Sequence, residues 1–151
     1  VLTANGQEDP DLSKAWMMPR GAKYILVLDD EPAVREIICE FLRADGYQAV
    51  PAATGDEAMA ALSEHGVPDL MIIDYALAGL DGIKVYRQLT AAAGRAVPAI
   101  LMTGMISDDV AAEAAGLGVT FLNKPMKLDY LASVVQRRLA ESAVRAADGM
   151  E

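Results

Sequence analysis

The run Tyr24-Ile25-Leu26-Val27-Leu28-Asp29-Asp30-Glu31-Pro32 changes character in one step, from apolar residues to carboxylates and a proline. Consecutive apolar positions without alternation are the pattern of a strand buried on both faces, as strands of a parallel sheet are. Pro32 suits the first turn of a helix, where its missing N–H would have no intrahelical partner anyway. Beyond it Val34, Ile37, Ile38, Phe41 and Leu42 recur at helical spacing, and Gly46 is placed to end that helix. The unit is strand, acidic turn, helix.

The rest of the chain repeats this unit without repeating its sequence. Residues 47–50 are short and mixed, as expected of an edge strand. Thr54 is a cap for a helix through Leu62, with Asp56 and Glu57 in its first turn. Residues 70–73 form a second apolar strand running into Asp74, and Ile83, Val85, Tyr86 and Leu89 mark the next helix. A third apolar strand, 97–102, runs into Thr103, and an alanine-rich helix from about Asp108 to Ala115 stops at Gly116. Residues 119–122 are the last strand, ending at Asn123-Lys124-Pro125, and Leu128, Leu131, Val135 and Leu139 give the final helix. Five strands alternating with five helices imply an α/β fold, a parallel sheet with helices on both faces. Residues 1–22 show no sustained periodicity and read as a linker or arm, 23–141 as the domain and 142–151 as a C-terminal tail.

Composition narrows the function. With 151 residues there is room for one ordinary domain, and no run approaches the roughly 20 apolar residues of a membrane span. The N-terminus lacks a basic region followed by an apolar stretch, so it is not a secretion signal, and the expected location is the cytoplasm. A net charge of −9 repels nucleic acid, and the Lys127, Arg137, Arg138 and Arg145 group sits among acids on a helical pattern. The single Cys39 excludes an intrachain disulfide and reads as a small core residue; with only His65 beside it, a structural zinc site is not expected.

In open α/β sheets ligands bind outside the carboxyl ends of the strands. Here those ends carry Asp29-Asp30, Asp74, Thr103 and Lys124. Three carboxylates side by side repel, and one lysine cannot neutralise them, so either some protonate or a cation sits among them. Hard oxygen ligands with an open shell suit Mg²⁺ bridging to a phosphate. A carboxylate beside such an ion can attack phosphorus, and a lysine and a hydroxyl can stabilise the phosphoryl oxygens. An isolated aspartate or threonine after a strand is usually a cap; the joint occurrence at several strand ends is what carries the reading.

The set Asp29-Asp30, Asp74, Thr103 and Lys124-Pro125 resembles the receiver domain of two-component response regulators, over Lys23 to about Leu139. The resemblance implies a flavodoxin-like, doubly wound five-stranded parallel sheet of order 2-1-3-4-5. It implies that Asp74 accepts a phosphoryl group from a histidine kinase or histidine phosphotransfer protein. Asp30, assisted by Asp29, with Asp74 and the backbone carbonyl of Ala76, would hold Mg²⁺. Thr103 would bond the phosphoryl group and shift on activation, and Lys124 would pair with a phosphoryl oxygen. Phe121 matches the family's switch aromatic, and the Lys124–Pro125 bond its usual cis peptide. Direct contact with nucleic acid or membrane is not implied; a partner or homodimer contact through the last two helices and last strand is.

The chain departs from the family where Leu77-Ala78-Gly79 replaces methionine-proline-glycine, and where Gly104 stands in place of a frequent alanine. Gly79 and Asp81-Gly82 keep the turn signals. Ala76 and Met105 lie where the family tunes phosphoryl lifetime; neither can hold a water, so slow self-dephosphorylation is expected. A haloacid-dehalogenase-like phosphatase shares this chemistry, but it requires a second aspartate two positions after the first-strand nucleophile, where this chain has Glu31. A degenerate receiver acting without phosphorylation is the remaining alternative. The missing initiator methionine favours a receiver cut from a hybrid histidine kinase over a stand-alone regulator.

Overall fold

A computed structural model describes residues 22–77, 80–104, 107–124 and 126–149. The expected arm before residue 22, Gly79, Met105 and the Lys124–Pro125 bond lie outside the described residues. Strands β1 (Tyr24–Leu28), β2 (Gln48–Ala52), β3 (Leu70–Asp74), β6 (Ala99–Thr103) and β7 (Thr120–Asn123) form one parallel sheet of order β2-β1-β3-β6-β7. Counting only strands of this sheet, that is the expected 2-1-3-4-5. Between them run α1 (Pro32–Ala44), α2 (Gly55–His65), α3 (Gly82–Ala93) and α4 (Asp108–Leu117), with α5 (Leu128–Gly149) closing the domain.

Strands β1, β3 and β6 are buried at every position, which is why they carry no polar alternation. The period of two still sorts their side chains between faces. Leu26 and Leu28 pack with Ala58 of α2, Ile83 and Leu89 of α3 and Ala114 of α4. Ile25 and Val27 pack with Ile38, Cys39 and Leu42 of α1 and with Leu131 and Val135 of α5. Cys39 is thus the core residue expected of it. The register pairs Leu28 with both Ala52 and Ile73, and Asp74 with Met102. The strands therefore end level along one edge.

Several boundaries differ from those read from the pattern. Strand β2 takes in Pro51, which an edge strand tolerates because one side of its backbone has no ladder to complete. Helix α4 passes Gly116 and ends at Gly118, whose φ of 72° supplies the left-handed cap. Helix α5 runs to Gly149, so most of the tail expected from residue 142 is helical backbone; alanines and charged helix formers fill it, with no proline to stop it. A two-residue hairpin, β4 (Ala76–Leu77) with β5 (Leu80–Asp81), follows Asp74 and gave no periodic signal. Among the described residues no helix is long and apolar enough to cross a membrane.

Helix α4 is the lightest-packed helix: only Ala114 of its residues is buried. Val110 and Leu117 are partly buried against the same core, and polar contacts add to this. Arg87 of α3 pairs with Glu113 at 3.2 Å, and Arg138 of α5 donates to the Gly118 carbonyl at 2.6 Å and meets Glu141 at 3.2 Å. Arg138, one of the basic residues noted in the sequence, thus has a structural use.

Ile72, fully buried in the central strand β3, has no room to be replaced by solvent. Ile72→Ala should lower the free energy of unfolding by about 2–5 kcal/mol, measured by urea denaturation.

Candidate functional site

The level strand ends bring the expected residues together. Asp29 follows β1, Asp74 closes β3 and Thr103 closes β6; all three are buried. Asp30 is half-exposed, and carboxylate oxygens of Asp29, Asp30 and Asp74 lie within 4.8 Å of one another. Lys124, just past β7, reaches back so that its Nζ stands 3.2 Å from Asp74 Oδ2 and 3.5 Å from Asp29 Oδ2. Its own N–H donates to the Thr103 carbonyl at 2.7 Å, which fixes where that side chain starts.

Backbone donors complete the turns. Glu31 N–H donates to Asp29 Oδ1 at 2.9 Å, and Ala76 N–H to Asp74 Oδ1 at 3.3 Å. Ala76 opens β4, two residues beyond Asp74, with its side chain exposed. Phe121 lies within β7, paired in register with Leu101; it is half-buried against the core beneath α2–α4 and lines a groove with Met126, Lys127 and Tyr130.

Burial pushes the Asp29 carboxyl above its ordinary value; the Glu31 N–H and Lys124 pull the other way without cancelling it, and Asp74 adds to the rise. For Lys124 burial opposes the charge, but the hydrogen bond to Asp74 and the charges of Asp29 and Asp74 outweigh it, so the ammonium is held above 10.5. The Lys124 ammonium thus faces the carboxylates of Asp29 and Asp74, with Asp30 beside them. Their donor atoms are hard oxygens, and half-exposed Asp30 leaves one side open to water. Such a set fits a small divalent ion that keeps part of its hydration shell, as Mg²⁺ does.

Gly82 contributes what turn reasoning did not reveal. A Cβ there would stand 2.7 Å from Tyr75 Cα and 2.8 Å from the Asp74 carbonyl oxygen. The first residue of α3 therefore presses against the backbone that carries Asp74. Its N–H donates to the Tyr75 carbonyl at 2.7 Å, and Asp81 caps the helix by accepting from Ile83 N–H at 2.8 Å. The Asp81-Gly82 pair had signalled a turn; close backbone approach gives no periodicity to read.

Comparison with known proteins agrees with this geometry. A model of the response regulator receiver domain matches residues 25–136. The chain is 34% identical over 126 residues to the transcriptional regulatory protein ZraR of Salmonella typhimurium, covering 83% of this chain and 28% of that protein. It is 29% identical over 116 residues to sporulation initiation phosphotransferase F of Bacillus subtilis, covering 76% of this chain and 92% of that one. The crystal structure of the receiver domain from the hybrid histidine kinase CckA matches with a TM-score of 0.64 at 34% identity, covering 77% of this chain and 98% of that one.

Gly82→Ala should destabilise the fold by about 1–3 kcal/mol in urea denaturation, because the obstructing atoms are backbone. Lys124→Met should melt below wild type in metal-free buffer near neutral pH. A lysine with a raised folded pKa contributes fully below 10.5 and loses that contribution as pH rises through the folded value. The melting gap between the two proteins should therefore close above pH 10.5. A gap that stays constant into that range would sink the assigned role of the ammonium.

Proposed function

The chain belongs to the response regulator receiver domain family, and from that premise we propose that Asp74 accepts a phosphoryl group from a histidine kinase or a histidine phosphotransfer protein. The observation that carries this is the placing of Asp74 at the end of a central strand, beside two other carboxylates and 3.2 Å from the Lys124 ammonium. In the transfer an Asp74 oxygen forms a bond to phosphorus while the phosphorus–nitrogen bond of the donor phosphohistidine breaks, and the electron pair returns to the imidazole. Asp29, Asp30 and Asp74, with the Ala76 carbonyl, would hold Mg²⁺, which supplies the positive charge that lets an anionic carboxylate meet an anionic phosphoryl group.

The protein's own groups do the positioning. Ala76 N–H orients the Asp74 carboxylate through Oδ1. Lys124 is placed to pair with a phosphoryl oxygen, and the Thr103 hydroxyl at the end of β6 to donate to another. Drawing Thr103 inward shifts the end of β6, to which β7 is paired through Thr103 and Asn123. Phe121 on β7 is the switch partner in this reading, and the face of α4, β7 and α5 carries the output partner or a second copy. The exposed Ala76 methyl cannot orient a hydrolytic water, which favours a long-lived phosphoryl group.

The covered share of ZraR is small, so activities of that whole protein do not transfer. The likeness to the CckA receiver and to phosphotransferase F supports a place in a phosphorelay, as a signalling domain whose chemistry is confined to its own aspartate. We place it in the cytoplasm, where phosphohistidine donors form from ATP.

Acetyl phosphate is a suitable test donor, with intact mass as the readout. The expected product carries one phosphoryl group and forms only with Mg²⁺ present and Asp74 intact; Asp74→Ala should remain unmodified. Full modification of Asp74→Ala would move the acceptor elsewhere. Unmodified wild type that still binds Mg²⁺ and fails with phosphohistidine donors would favour a receiver that acts without phosphorylation.

A further inference from the structure

Arg35 lies in the first turns of α1 and is half-buried. Its guanidinium donates to the backbone carbonyl of Asp29 at 2.7 Å. That carbonyl belongs to the peptide unit joining Asp29 to Asp30, and a peptide unit is planar from one Cα to the next. Fixing its oxygen fixes the direction in which the chain delivers the Cα of Asp30. The other groups of Asp29 are held as well: its N–H by the Ala52 carbonyl at 3.1 Å, Oδ1 by Glu31 N–H at 2.9 Å and Oδ2 beside Lys124 at 3.5 Å. Asp30 is the half-exposed member of the cluster and follows directly from this turn.

We infer that Arg35 is a positioning residue for the cation site: it braces the Asp29–Asp30 peptide and so sets the geometry in which Asp30 meets Mg²⁺. The inference rests on the reading of the three carboxylates as a Mg²⁺ site. It concerns binding rather than chemistry, because Arg35 acts through the backbone and not on the phosphoryl group. A guanidinium is always charged, and its bond to a carbonyl is a charge-assisted one.

The sign of the effect separates bracing from simple charge. A fixed cation near a metal site repels Mg²⁺, so removing Arg35 for its charge alone would tighten Mg²⁺ binding. Removing a brace loosens it, and lost outer contacts to metal ligands commonly cost about 10- to 100-fold in affinity.

The experiment is calorimetric titration of the whole chain with Mg²⁺ alone, on wild type, Arg35→Met, Arg35→Lys and Asp74→Asn, with melting curves taken without metal. Bracing predicts an Arg35→Met dissociation constant raised about tenfold or more, with Arg35→Lys closer to wild type. It also predicts that acetyl phosphate labelling of Arg35→Met recovers the wild-type rate at saturating Mg²⁺. Unchanged or tighter Mg²⁺ binding by folded Arg35→Met would overturn the proposal. If that variant does not fold, Arg35→Gln, neutral and two atoms shorter, is read by the same criterion. Wild type that takes up no Mg²⁺ would overturn the metal reading itself, and the brace with it, a result distinct from failure of the variant alone.

Discussion

The mutual repulsion of Asp29, Asp30 and Asp74 is the constraint around which this molecule is arranged. Three like charges within 4.8 Å do not gather unless something holds them. Here the holding is done by the sheet. Parallel strands pinned by buried apolar residues on both faces end level at one edge, and the carboxylates are the next residues in the chain. Core burial opposes the electrostatic strain, and Lys124 relieves only part of it. The clustered carboxylates are what make the edge a candidate site for a cation.

Every element near that edge serves the placement. Glu31 and Ala76 offer N–H groups to the two buried aspartates, and Lys124 is anchored through its own backbone to Thr103. Gly82 lets α3 begin against the backbone of Asp74 and Tyr75. The site is therefore built mostly from main-chain contacts, and the side chains that would do chemistry are few.

This division explains what the sequence revealed. Buried parallel strands leave uninterrupted apolar runs, and the residues that follow them fall at the site by topology, so Asp29, Asp30, Asp74, Thr103 and Lys124 could be collected from the sequence. The contribution of Gly82 could not, because a close backbone approach has no period. Nor could Arg35, whose partner is a carbonyl that every residue possesses. The end of α4 was misplaced because Gly116 and Gly118 are both competent caps and only the three-dimensional path selects between them. The extent of α5 was underestimated because its later turns lack the apolar stripe by which helices are recognised, though their propensity is high.

The sparse burial of α4 has a consequence for how the domain opens. Cooperative units of low local stability are those with few buried contacts. With only Ala114 fully buried, Val110 and Leu117 partly buried against the core, and polar ties at Glu113 and Gly118, α4 is the helix expected to open at least cost. Amide hydrogens along α4 would then exchange through brief local openings, while those of the central strands wait for global unfolding. The domain thus sets a floor of fully buried strands under the site beside a wall that few buried side chains hold in place.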